Sequence, residues 1–308
     1  MTDDGRLFTF GQNDFGQLGV IDQKGRIPKQ KNPVEVKYFA EKGIKLKQVV
    51  CGKSHTIALD TEGRVYSWGK GKAKFNLLNR LFYPQALALG HKRPANHNIP
   101  KQIEKLKGVK VQQISTGHDF ALALAADGEV YGWGRGEFGT LGNSNKPQQE
   151  PEANLVLRQF SKESGSKIVK IESCNDFSSV LFDNGKLFSF GNNDQGNLGI
   201  GNSQSVDSCD SISDPVEMVT DPEEVCGRLL FKDLSLAQTI SAFLSRDNKV
   251  YYAGARRIYT PTLFQLDYSK YEVDQFCATE KGIAVLTKCQ KIFHQGNFLE
   301  GKKSSSKD

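Results

Sequence analysis

One seven-residue pattern constrains what this chain can fold into more than any other feature. It reads glycine, charged, aliphatic, aromatic, any residue, aromatic, glycine. It recurs at residues 5–11, 63–69, 128–134 and 185–191, with looser copies at 248–254 and 290–296. Short stretches rich in β-branched and aromatic residues and fenced by glycine are strand signatures. A second apolar stretch precedes each of the last five copies. Its final leucine (Leu59, Leu124, Leu181, Leu244 or Leu286) lies ten residues before the closing glycine every time (Gly69, Gly134, Gly191, Gly254 or Gly296). Between the two stretches lie sequences such as Asp60-Thr61-Glu62-Gly63 and Ala125-Ala126-Asp127-Gly128, which suit hairpin turns. Each unit is therefore a β-hairpin. Its first strand carries small residues, as a crowded strand near a central axis would.

The closing glycines are 58, 65, 57, 63 and 42 residues apart. Helical and leucine-rich repeats do not have these lengths. Each interval has room for two more strands, for example residues 33–36 and 47–50. Four strands per unit, repeated radially, describe a β-propeller.

The repeat resembles that of the regulator of chromosome condensation (RCC) family. That pattern runs from an aromatic-glycine pair through Asn-x-x-Gly-Gln-Leu-Gly and later through Gly-x-x-His-Thr-x-Ala-Leu. Here Phe10-Gly11-Gln12-Asn13-Asp14-Phe15-Gly16-Gln17-Leu18-Gly19 and Phe190 through Gly199 carry the first part, with a looser copy from Trp133 to Gly142. Cys51-Gly52-Lys53-Ser54-His55-Thr56-Ile57-Ala58-Leu59 carries the second. The resemblance spans about residues 5–296 and implies an all-β, RCC-like β-propeller. The family's ring has seven blades, and this chain is too short for that. Ten residues back from Gly11 is Met1, so the first hairpin is expected to lack its inner strand. Five hairpins and one orphan strand predict five to six blades of four strands. The ring either closes by pairing the orphan strand with the last unit or stays incompletely closed. Arg6, Leu7, Phe8, Thr9 and Phe10, with residues 291–295, would then present open edges that invite another chain. The expected organisation is a single propeller domain over 1–301 and a polar tail over 302–308.

Composition supports a packed protein: 38% of residues are hydrophobic, including 19 Phe, which excludes global disorder. The six cysteines, at 51, 174, 209, 226, 277 and 289, form no C-x-x-C pair and are expected to be reduced, partly buried thiols. No run approaches the length of a membrane-spanning helix, so no membrane insertion is expected. The polar, acidic start from Met1 to Gly5 shows no secretory signal. A cytoplasmic location is expected, with nuclear, ciliary or organellar complexes as alternatives.

No catalytic constellation, cofactor site or metal site is expected. His91 and His97 have no carboxylate or cysteine at ligand spacing. The stretch Gly134 to Gly139 matches G-x-G-x-x-G, but it follows a repeat strand and leads into no helix, so it reads as a turn. His55 and His118 sit at repeat positions and read as scaffold residues that satisfy a loop of the neighbouring blade. The founding member of the resembled family exchanges nucleotide on a Ran-type GTPase through loop aspartates. The resemblance places Asp176 at one of them and His118 at the other, with Asp119 one residue later.

The net charge of +6 is unevenly spread. Residues 70–110 read as an insertion with ten basic side chains against one acid, Glu104. Lys70, Lys72, Lys74, Arg80, Lys92 and Arg93 are its partner-binding candidates, alongside Asp119 and Asp176. Residues 205–224 carry seven acids and no Lys or Arg, and read as an acidic loop. The expected function is a non-catalytic interaction propeller, a structural or adaptor subunit bound to other proteins. The alternatives are nucleotide exchange on a small Ran-type GTPase, or association with chromatin or nucleic acid, the less favoured partner.

Overall fold

A computed structural model of the chain describes residues 1–22, 24–26, 28–71, 88–136, 139–142, 149–157, 166–200, 216–217 and 229–296. Lys72, Lys74 and Arg80, the polar tail, and all of the acidic loop but residues 216–217 lie outside them. Two compact units are present. Unit 1 spans residues 1–192 and 205–217, and unit 2 spans residues 193–204 and 218–308.

Unit 1 holds four of the sheets. The first pairs β1 (Phe8–Gly11) with β2 (Gln30–Glu35). The second contains β3 (Leu46–Cys51), β4 (His55–Asp60), β5 (Val65–Gly69) and β6 (His97–Gln102) in that order. The third contains β7 (Val111–Thr116), β8 (Phe120–Ala125), β9 (Val130–Arg135) and β10 (Gln149–Val156). The fourth contains β11 (Ile168–Cys174), β12 (Phe177–Phe182), β13 (Leu187–Gly191) and β14 (Val216–Glu217). In unit 2, β15 (Phe231–Leu236), β16 (Ile240–Ser245), β17 (Val250–Gly254) and β18 (Ile258–Leu263) form one sheet. The other contains β19 (Val273–Thr279), β20 (Gly282–Thr287) and β21 (Ile292–Gly296). Neighbours are antiparallel and consecutive in sequence, the meander of a propeller blade. A short helix, α1 (Lys37–Glu41), and a 3₁₀ turn at Glu104–Leu106 accompany the strands of unit 1.

The ten-residue spacing is a hairpin register. Leu59 faces Val65, Leu124 faces Val130, Leu181 faces Leu187, Leu244 faces Val250 and Leu286 faces Ile292. The turns share one geometry. In the first, the Asp60 N–H donates to the Arg64 carbonyl and the Gly63 N–H to the Asp60 carbonyl. Gly63, Gly128 and Gly185 have φ near +90°. Asn248 (φ 67°) and Gln290 (φ 62°) hold the same place in the two looser copies. Residues with a Cβ resist this left-handed region, which explains the glycine of the pattern.

The small-residue strands β4, β8, β12 and β16 are buried along their whole length. They stand second in their sheets, flanked by β3, β7, β11 and β15, so they are not the edge strands. Crowding from both faces explains their composition. Ala58 joins Tyr66, Trp68 and Phe39 in one core, whereas its neighbours Ile57 and Leu59 join Ile114, Ala121 and Trp133 in the next. Phe120, Leu122 and Leu124 turn the other way, toward Ile171, Val180 and Phe190. The two-residue period of a strand thus assigns alternate side chains to successive cores. Trp68 and Trp133 are fully buried, and their indole N–H groups donate to the Gln17 carbonyl (2.9 Å) and the Ala88 carbonyl (3.0 Å). Unit 2 has its own core around Ala242, Val250, Phe264 and Val285.

The outermost strands β2, β6, β10 and β18 each contain a proline: Pro33, Pro100, Pro151 and Pro261. Proline lacks the N–H a second neighbour would need, so it is tolerated at a sheet edge. β1, the expected orphan strand, pairs with β2, with Phe8 opposite Glu35 and Thr9 opposite Val34.

Candidate interaction face

The loops that enter β4, β8 and β12 gather the first group of polar side chains. Their backbones are linked in a row. The Lys53 N–H donates to the His118 carbonyl (3.1 Å), and the His118 N–H donates to the Asn175 carbonyl (2.8 Å). The repeat-ending glycines press against the same loops. The N–H groups after them, on Lys70, Arg135 and Asn192, donate to the carbonyls of Ser54, Asp119 and Asp176 at 2.8–2.9 Å. A Cβ on Gly69, Gly134 or Gly191 would lie 2.4–2.6 Å from those carbonyl oxygens, closer than such atoms approach. Each closing glycine therefore serves the face as well as the strand.

Beneath the row, neighbouring sheets are stitched by side chains. The His55 Nε2 lies 2.9 Å from the Thr116 Oγ1. Burial pushes His55 down to about 4, against an opposing pull from Asp119, so the ring is neutral at physiological pH. This is the scaffold role expected of it. Gln48 and Gln113 were not legible as functional residues. The Gln48 amide donates to the Ile114 carbonyl and accepts from its N–H, both at 2.9 Å. Gln113 treats Ile171 the same way at 2.8 and 2.9 Å. Both occupy one repeat position, opposite the hairpin leucine, and aligning the copies on Leu59 and Leu124 would have exposed the pair.

Of the expected partner-binding residues, Lys70, Asp119 and Asp176 lie on or beside the row. The Lys70 Nζ sits 5.3 Å from the centre of the Phe15 ring. The Asp176 Oδ2 is 3.9 Å from the His118 Nδ1, and both side chains are about one-third exposed. Asp119 and Asp176 hold equivalent places, each immediately before the buried Phe120 or Phe177 that opens the second strand. Lys53 and Asn175, which were not expected, complete the row. Lys92 and Arg93 are exposed and line a different recess with Lys101 and Lys105.

The open-edge candidates divide. Leu7 is buried in a core, and the Thr9 hydroxyl donates to the Leu18 carbonyl (2.8 Å). Arg6 pairs with Asp4 and stacks on Phe8. Phe10 is 65% exposed. Cys51, Cys174, Cys277 and Cys289 form no disulfide, and all except Cys174 are exposed, against the expectation of partial burial. Cys51 ends β3, Cys289 lies in a turn and Cys277 is on β19, an edge strand, which explains this. Cys209 and Cys226 lie outside the described residues. Among the described residues no group of three or more His, Cys, Asp or Glu side chains is placed to hold a metal, and no helix is long and apolar enough to cross a membrane.

The RCC1-like domain family profile matches residues 1–260. The chain belongs to the RCC1-like family. Among its curated relatives, the ultraviolet-B receptor UVR8 of Arabidopsis thaliana is 30% identical over 203 residues, covering 66% of this chain and 41% of the receptor. The RCC2 homolog of Xenopus laevis is 27% identical over 206 residues, covering 63% of this chain and 36% of that protein. The mouse E3 ubiquitin-protein ligase HERC2 is 30% identical over 208 residues, which are 66% of this chain and 4% of the ligase. The chain thus spans less than half the length of these relatives. Two solved structures share the fold: yeast RCC1 (Prp20) bound to Kap60, with a TM-score of 0.73, 17% identity and coverage of 96% of this chain and 67% of that one; and human WBSCR16, with a TM-score of 0.70, 21% identity and coverage of 93% and 68%. The RCC1-like assignment agrees with the propeller read from the repeats.

Proposed function

We propose that this chain is a non-catalytic protein-interaction propeller, an adaptor or structural subunit of a larger cytoplasmic assembly, working as one domain over residues 1–301. The row of loops carries the reading. Lys53, His118, Asp119 and Asp176 stand at spacings fixed by backbone hydrogen bonds, which presents an ordered pattern of charge on a surface that loses little entropy on binding. Combining Lys53→Glu, Asp119→Lys and Asp176→Lys should abolish co-purification of the partner from the source organism and leave the melting temperature unchanged. A wild-type chain that stays monomeric and captures no stable partner would overturn the reading.

One observation favours nucleotide exchange on a small GTPase as the second reading: Asp119 and Asp176 occupy equivalent loop positions, and the structure of Prp20p from Saccharomyces cerevisiae was described together with its binding properties to Gsp1p and histones. Exchange requires the nucleotide-free GTPase to be bound better than the loaded form. Release of labelled GDP from a panel of Ran-type GTPases tests this. Acceleration that Asp176→Ala removes would establish it, and no acceleration would dismiss it. The histones studied with Prp20p, and the basic residues 70–110, keep chromatin association as an outcome that a binding assay over a salt series would show.

A further inference from the structure

A recess of about 470 Å³ beside β6 has no part in the loop row. Three separate pieces of chain deliver cations to it. Lys92 and Arg93 come from the segment before β6, Lys101 from β6 itself and Lys105 from the 3₁₀ turn. Two carboxylates share the wall, and each has a lysine partner. Glu104 pairs with Lys107 at 2.6 Å, and Glu152 with Lys105 at 3.8 Å. Among the described residues Lys92, Arg93 and Lys101 form no ion pair, although Lys101, after Lys107, helps to hold the Glu104 carboxyl below its usual range. With four cations against two carboxylates, the lining carries a net charge of about +2. His91 adds none: it is buried, with its Nε2 3.1 Å from the Ser67 Oγ, and burial, then His97 and Lys101, push it down to about 4. Four exposed cations around one recess give it a positive field that favours an anionic ligand.

We propose that this recess binds a phosphate monoester group. Such a group carries a charge of roughly −1.5 to −2 and three strong acceptor oxygens, which matches the net charge of the lining. The planar fork of Arg93 suits two of those oxygens, and Lys92 and Lys101 supply compact point charges. A lining of net charge about +2 matches one discrete dianionic group better than a continuous polyanion such as a nucleic-acid backbone. The phosphate belongs either to a small ester or to a phosphorylated side chain of a partner protein.

The test titrates the full-length chain with O-phosphoserine, with a phosphoserine peptide and with the unphosphorylated peptide. Both phosphorylated probes should bind and the third should not. Equal affinities identify a small ester as the source, and a phosphopeptide preference of about tenfold or more identifies a protein partner. Arg93→Gln with Lys101→Gln should weaken binding at least about tenfold with an unchanged melting temperature. Lys31→Gln, on exposed β2 outside the recess, should leave it unaltered. Absence of saturable binding to the wild type, or an equal loss from Lys31→Gln, overturns the proposal.

Discussion

At Gln113 one side-chain amide serves two backbone groups of the next sheet. β11 is an edge strand, so the N–H and carbonyl of buried Ile171 have no ladder partner on that side. Gln113→Ala strands both, which should cost about 1–3 kcal/mol. A urea melt should show the midpoint falling with an unchanged slope. His55 has a different consequence. Its proton affinity in the fold lies below that of a free histidine, so the unfolded chain binds more protons between about pH 6.5 and 4. The stabilisation is complete above that window and is lost as the pH falls through it, up to on the order of 3 kcal/mol. Phenylalanine stands at the equivalent positions 120 and 177, so His55→Phe has precedent in the same fold. The variant should lose less stability than wild type between pH 7 and 4.5, measured by chemical denaturation at each pH.

The turns set the next scale. Gln290 and Asn248 hold a left-handed conformation that glycine holds in the other hairpins. Gln290→Gly should stabilise the chain by about 1 kcal/mol, and Asn248→Gly by less, because asparagine tolerates this region better. Conversely, Gly63→Ala should destabilise by at least that amount, since its Cβ would also sit 3.0 Å from the Val111 carbonyl oxygen. Thermal melts of the three variants check the order. The hairpins were legible in the sequence down to the residue, because the register, turn and buried faces all leave apolar or glycine marks at constant spacing. The outer strands were harder to read. Strands such as β6 (HNIPKQ) and β10 (QEPEANLV) are proline-bearing and rich in polar residues, so their pattern resembles that of loops. The loop row was partly legible. Resemblance pointed to Asp176 and His118, with Asp119 beside it, but Lys53 and Asn175 enter through backbone hydrogen bonds, which leave no mark on residue type.

For the whole molecule, the positions of the two tryptophans offer a direct probe. Trp68 and Trp133 are both in unit 1 and fully buried there. Tryptophan emission therefore reports unit 1, and far-ultraviolet circular dichroism reports the strands of both units. Gln290→Gly, in unit 2, should move the dichroism transition upward and the emission transition less. Coincident shifts would show that the chain unfolds as one cooperative body. The strand order carries a further implication. Strands within a sheet are consecutive in sequence, so a ribosome releases each sheet in full before starting the next, and in four of the six described sheets the strand that finishes it is the one with Pro33, Pro100, Pro151 or Pro261. A half-made chain thus meets its neighbours on a polysome with edges that resist templating another strand, and protection against aggregation is in place before the protein is complete.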